Sequence, residues 1–186
     1  MRRVLLGILG ISLAMDALAH VSPNVTLVRR GDFVRRALPG ATKFFEKTLD
    51  PAAILSVHHA TGWEPSTEDA KVYVGRDESA RLVGTVVFVW VPSQHGPVGL
   101  GVAFDPEGKI LQATVTDVGS EPLPWVRPLL QDGRVGGVEG LALSAAPDPS
   151  RVAPGVSGSM SRYYARIIAE GVARGQAMQR ASGGGR

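Results

Sequence analysis

Between residues 81 and 91 hydrophobic side chains fill both phases of a two-residue alternation. Val83, Val87, Val89 and Val91 occupy one phase and Leu82, Val86, Phe88 and Trp90 the other. A strand apolar on both faces belongs in the interior of a sheet. Shorter runs of the same kind cover residues 71–74, 98–104 and 109–116. They are separated by Gly75-Arg76-Asp77-Glu78, by residues 92–97, and by Asp105-Pro106-Glu107-Gly108. Connections this short predict antiparallel neighbours, because a parallel pair needs a crossover of a dozen or more residues. The run at 98–104 has one bulky face, Val98, Leu100, Val102 and Phe104, and one nearly bare face, Gly99, Gly101 and Ala103. A bare strip admits either a packed helix or a flat ring close to the backbone.

Upstream, residues 21–28 predict a short extended segment, and Arg29, Arg30, Arg35 and Arg36 follow around Phe33 and Leu38. Residues 41–49, with Phe44, Phe45 and Leu49 opposite Lys43 and Lys47, predict a helix that Pro51 ends. Near the C-terminus Met160, Tyr164, Ile167, Ile168, Gly171 and Val172 recur at helical spacing. Ser157, Ser159 and Ser161 stand at or before the start of that helix, where unpaired N–H groups favour either a phosphate or ordinary capping by Ser157 or Ser159. The tail 176–186, rich in Ser and Gly at its end, is expected to be disordered.

A chain of 186 residues suits one domain, and 23 Gly with 13 Pro argue against a helical bundle. The expected fold is α+β: a small antiparallel sheet packed by helices in a single domain. Zero cysteines exclude disulfides, thiolate metal sites and cysteine nucleophiles. A net charge of +3, spread over the whole chain, does not point to nucleic acid, and none is expected as a partner. Arg2 and Arg3, the apolar run 4–15 and Ala17-Leu18-Ala19 read as a signal peptide over residues 1–19, and so as export. An uncleaved N-terminal membrane anchor is the alternative. His20, His58, His59 and His95 raise a copper site in which a mature N-terminal histidine chelates, but adjacent histidines on a strand point apart.

The order of features is more informative than any one of them. Gly96-Pro97-Val98 is followed by Gly101-Val102-Ala103-Phe104-Asp105-Pro106-Glu107-Gly108-Lys109-Ile110, then Ser120-Glu121-Pro122, then Val156-Ser157-Gly158 before a terminal helix. Over residues 81–172 this order resembles the FMN-binding domain family. That family includes periplasmic flavin subunits of the Rnf and sodium-pumping NADH:quinone reductase complexes, and the sensor domain of the nitrous oxide reductase regulator. Pro39-Gly40-Ala41 is similar to the segment preceding the domain in the regulator branch.

The resemblance divides the chain into a signal peptide (1–19), an N-terminal extension with a short helix (20–70), an FMN-binding-like domain (71–175) and a tail (176–186). It implies a periplasmic, membrane-associated FMN electron carrier, an electron-transport flavoprotein exchanging electrons with membrane or periplasmic redox partners, rather than a stand-alone enzyme. The phosphate is expected at Ser157, Gly158, Ser159 and Ser161, the ring over Gly99 and Gly101, and Glu121 is also assigned to the site. In many members the FMN phosphate is esterified to a hydroxyl in a motif that aligns here with residues 154–160. The motif's acid is replaced by Pro154 and its acceptor hydroxyl by Met160. A thioether has no proton to lose and forms no phosphoester, so any flavin is expected to be noncovalent. The alternative is a flavin-free member that scaffolds a membrane electron-transfer complex.

Overall fold

The computed structural model describes residues 23–183. Their centre is an antiparallel sheet of six strands in the order β1-β6-β5-β4-β3-β2. The strands are β1 (Asn24–Thr26), β2 (Lys43–Thr48), β3 (Lys71–Arg76), β4 (Leu82–Val91), β5 (Val98–Phe104) and β6 (Ile110–Gly119). The doubly apolar β4 lies inside the sheet between β3 and β5, in register from Thr85↔Phe104 to Val91↔Val98. The α+β class and the single domain expected from the strand pattern are both present.

Helices cover the two faces unequally. One face carries Val87, Val89, Leu100, Val102 and Val115, which pack with α2 (Pro51–Thr61) and α5 (Ser159–Ala181) into the main core. The other face carries Val86, Phe88 and Ala103, which pack against the eight-residue α1 (Arg30–Ala37) through Phe33, Val34, Ala37 and Leu38. The segment after β6 is irregular: α3 (Leu123–Val126), a single 3-10 turn, the hairpin β7 (Leu130–Gln131) and β8 (Arg134–Val135), and α4 (Pro149–Val152).

Three expectations need correction. Residues 41–49 do not form a helix: Lys43–Thr48 pair with Arg76–Lys71 as the edge strand β2. Pro51 opens a helix instead of closing one. Its fixed φ and missing N–H suit the first helical position, Asp50 Oδ1 accepts from the Ala53 N–H at 2.8 Å, and Gly62 closes the helix at φ 69°. His58 and His59 accordingly lie on α2, with ring centroids 6.3 Å apart, rather than on a strand. Replacing Asp50 with alanine removes that cap and should lower stability by about 1 kcal/mol. Thermal unfolding checks it, with Asp50→Ser recovering most of the loss.

The tail is the third correction. α5 continues to Ala181, and Gln176, Ala177, Met178 and Gln179 are buried. Gly171 and Gly175 make this possible: a Cβ at Gly171 would stand 2.6 Å from Leu100 Cδ1, and one at Gly175 2.9 Å from Val102 Cγ2. The helix therefore lies directly on β5. Its polar side chains find partners there. Thr85 Oγ1 donates to Gln179 Oε1 at 2.7 Å, and Gln176 Nε2 donates to the carbonyls of Ala142 and Ala145. The segment before residue 71, expected as an extension with a short helix, supplies both edge strands and the helices α1 and α2. Residues 1–22, with the expected signal peptide, lie outside the described residues.

Candidate functional site

The start of α5 forms one wall of a groove of about 560 Å³, whose opposite wall is α4. No side-chain oxygen caps α5, whose N-cap is Gly158. Its first backbone N–H groups thus have no side-chain acceptor among the described residues and are available to a ligand. Neither Ser157 nor Ser159 is the capping residue that the sequence allowed. Ser159 lines the groove together with Arg162 and Arg166. Spacings of three and seven residues bring these side chains to the same side of a helix. Ala153, Val156 and Ala165 supply apolar wall between them.

The two arginines are employed differently. Arg162 Nη1 donates to the Ser157 carbonyl and its backbone N–H to the Gly158 carbonyl, so it fastens the incoming loop to the helix. Arg166 has neither a hydrogen bond nor an ion pair among the described residues. Across the groove Ser150 Oγ and N–H both donate to Asp148 Oδ1 at 2.8 Å, and these bonds hold the Asp148 carboxyl below its usual range. Donors and positive charge face the groove at its α5 wall, an arrangement that suits a phosphate ester.

The structure gathers only part of the expected site. Ser157 and Gly158 lie in the loop leading to the groove, and Ser161 is half-buried on the first turn of α5. Met160 packs against the main core and is absent from the groove wall. Glu121 is engaged elsewhere: its Oε1 lies 2.7 Å from His95 Nδ1. The His95 ring sits 5.3 Å from that of Trp125, which stacks at 5.9 Å and 11° on Tyr164 of α5. Tyr164 is fully buried, its hydroxyl is 3.1 Å from Ser93 Oγ, and burial pushes its pKa up. Glu121, His95, Trp125 and Tyr164 thus tie the β4–β5 loop to α3 and α5.

The bare strip of β5 is filled by protein. A Cβ at Gly101 would stand 2.7 Å from two Phe33 ring carbons and 3.0 Å from Phe88 Cε1. One at Gly99 would meet Trp90 at 3.0 Å and Thr116 Oγ1 at 3.2 Å. Of the two readings of that strip, the packed helix is the one realised, with α1 inserting Phe33. The chemistry of the groove fits the phosphate of FMN; the strip does not leave room for its ring. Arg162 and Arg166 were not singled out in the sequence, although Ser159, Arg162 and Arg166 already show the spacing of a shared helix face. No protein-family model matches the chain, and no curated protein matches it.

Proposed function

We propose that this chain is an exported electron carrier that takes FMN noncovalently, by its phosphate, in the groove between α4 and α5. The observation that carries the reading is Arg166, a cation with no side-chain partner among the described residues, lining a groove of about 560 Å³ beside an uncapped helix start. That volume lies within the range of small-ligand sites, about 300–1,000 Å³. Bound FMN supplies one- and two-electron redox chemistry. Arg166 holds the phosphate charge, Arg162 keeps the Ser157–Gly158 loop against α5, and the apolar side chains of Ala153, Val156 and Ala165 exclude water from the flat part of the ligand. Met160 offers no hydroxyl for esterification. The reading includes export to the periplasm and redox partners there or in the membrane. A flavin-free scaffolding subunit is the second reading, favoured by Phe33 filling the strip beside Gly101.

Titration with FMN, followed by quenching of its fluorescence, is the test. The wild-type chain should bind, and Arg166→Glu should weaken binding by about tenfold or more, since a charge-assisted contact becomes a repulsion. The melting temperature should hardly change, because the Arg166 side chain is exposed and makes no hydrogen bond or ion pair among the described residues. Unfolding the loaded protein should release all flavin from the polypeptide. Absence of FMN binding at excess ligand would leave the scaffolding reading in place.

A further inference from the structure

Among the described residues the edge of the sheet at β2 pairs with no further strand, and the groove on α5 does not use it. All six residues of β2 are exposed, with Phe44 at 38% and Phe45 at 52%. The Leu49 N–H donates to Ala70 O at 2.8 Å, in the register that continues through Thr48↔Lys71. Alternation along an antiparallel ladder then turns the backbone N–H and C=O of Phe44, Glu46 and Thr48 away from β3. An edge of this kind is a template for another strand unless something blunts it.

Beside this edge, on the α1 face, a cleft of about 250 Å³ is lined by Phe44, Tyr73 and Phe88 with Arg30 and Arg35. The Arg30 guanidinium lies 5.0 Å above the Phe88 ring and 5.9 Å from that of Trp90, and no carboxylate pairs with it among the described residues. Arg35 pairs with Asp32 at 2.6 Å, and Lys71 with Glu46 at 2.9 Å. Arg29, Arg36, Lys43 and Lys47 add positive charge along α1 and β2 that Asp32 and Glu46 do not balance.

We propose that the free edge of β2, with the cleft beside it, receives an extended acidic segment of a partner protein as an additional strand. Main-chain bonds to Phe44, Glu46 and Thr48 supply the attachment, and acidic side chains over the cleft approach Arg30 and Arg35. Charge argues against a second copy of this chain. A twofold antiparallel pairing that keeps side chains on their own faces must centre on a residue. Centred on Phe45 it sets Lys43 against Lys47 of the copy, and centred on Glu46 it sets two glutamates together.

The test uses the chain without flavin, so its outcome is separate from that of the FMN titration. A fluorescein-labelled synthetic peptide of alternating glutamate and valine should bind and slow amide exchange at Phe44, Glu46 and Thr48. A lysine–valine peptide should bind about tenfold more weakly or less, and Arg30→Gln should weaken the acidic peptide alone. N-methylation of the peptide at one set of alternate residues should abolish binding while the other set is tolerated, a comparison that needs no variant of the protein. Equal effects of both methylation patterns, protection elsewhere, or no binding would overturn the proposal. So would self-association in sedimentation that Phe45→Lys reverses, or binding to phosphatidylglycerol vesicles with which the acidic peptide does not compete.

Discussion

Leucine at Gly101 is expected to destabilise the fold by about 3 kcal/mol or more, the upper end of what overpacking costs. The Cβ alone would stand 2.7 Å from two carbons of a Phe33 ring that is 1% exposed and meets Phe88 edge-on at 6.1 Å. The rest of a leucine has no space between β5 and α1. If Phe33 is the obstacle, the double variant Phe33→Ala with Gly101→Leu should lose less than the two single losses added together, because one side chain then occupies volume vacated by the other. Denaturant titration of the four proteins measures this coupling. Strictly additive losses would mean that Phe88, or the strand itself, resists the new side chain.

Truncating Tyr164 should cost about as much: Tyr164→Ala should remove roughly 3–5 kcal/mol, the range for deleting a buried aromatic ring. The residue is fully buried and stacks on Trp125. Tyr164→Phe keeps the ring and loses only the contact with Ser93 Oγ, so about 1 kcal/mol is expected. Both variants also differ from wild type in alkali. Burial raises the Tyr164 pKa in the folded chain, which therefore keeps the proton after the unfolded chain has lost it. Stability from this source is complete below the ordinary tyrosine pKa and is lost as pH rises through the folded value. Stability measured across that range should fall less steeply in Tyr164→Phe than in wild type. Some slope will persist, because burial also raises Tyr73.

The sheet interior was legible because β4 and β5 state their burial in their own alternation. β2 was not legible, since Lys43-Phe44-Phe45-Glu46-Lys47-Thr48 carries no clean period in either sense and becomes a strand only by pairing with β3. The helix at Pro51 carried its own signals, Asp50 before it and Gly62 after it. Pro51 reads as a stop only when proline is treated as a breaker without regard to the capping residue ahead of it. The Ser- and Gly-rich end of the chain hides the last turns of α5, where Gln176 and Gln179 find specific hydrogen-bond partners in the fold. At the candidate site Ser159 could be read from the sequence. Arg166 matters through its lack of a partner, and that is a property of the folded surroundings.

The path of the two chain ends has a practical consequence. Pro23 leads into β1 at one border of the sheet, where its carbonyl accepts from the Ser120 N–H at 2.8 Å. Ser182 follows α5 at the other border, its carbonyl accepting from Lys47 Nζ of β2 at 2.7 Å. An affinity tag or fluorescent protein fused directly after Ser182 would begin close to β2 and crowd it, whereas the same cargo fused ahead of Pro23 would leave that border open. Immobilisation through the N-terminus is therefore the orientation for surface-based capture of partners. A dye at Pro23 and another at Ser182 would report in energy transfer on the width of the sheet.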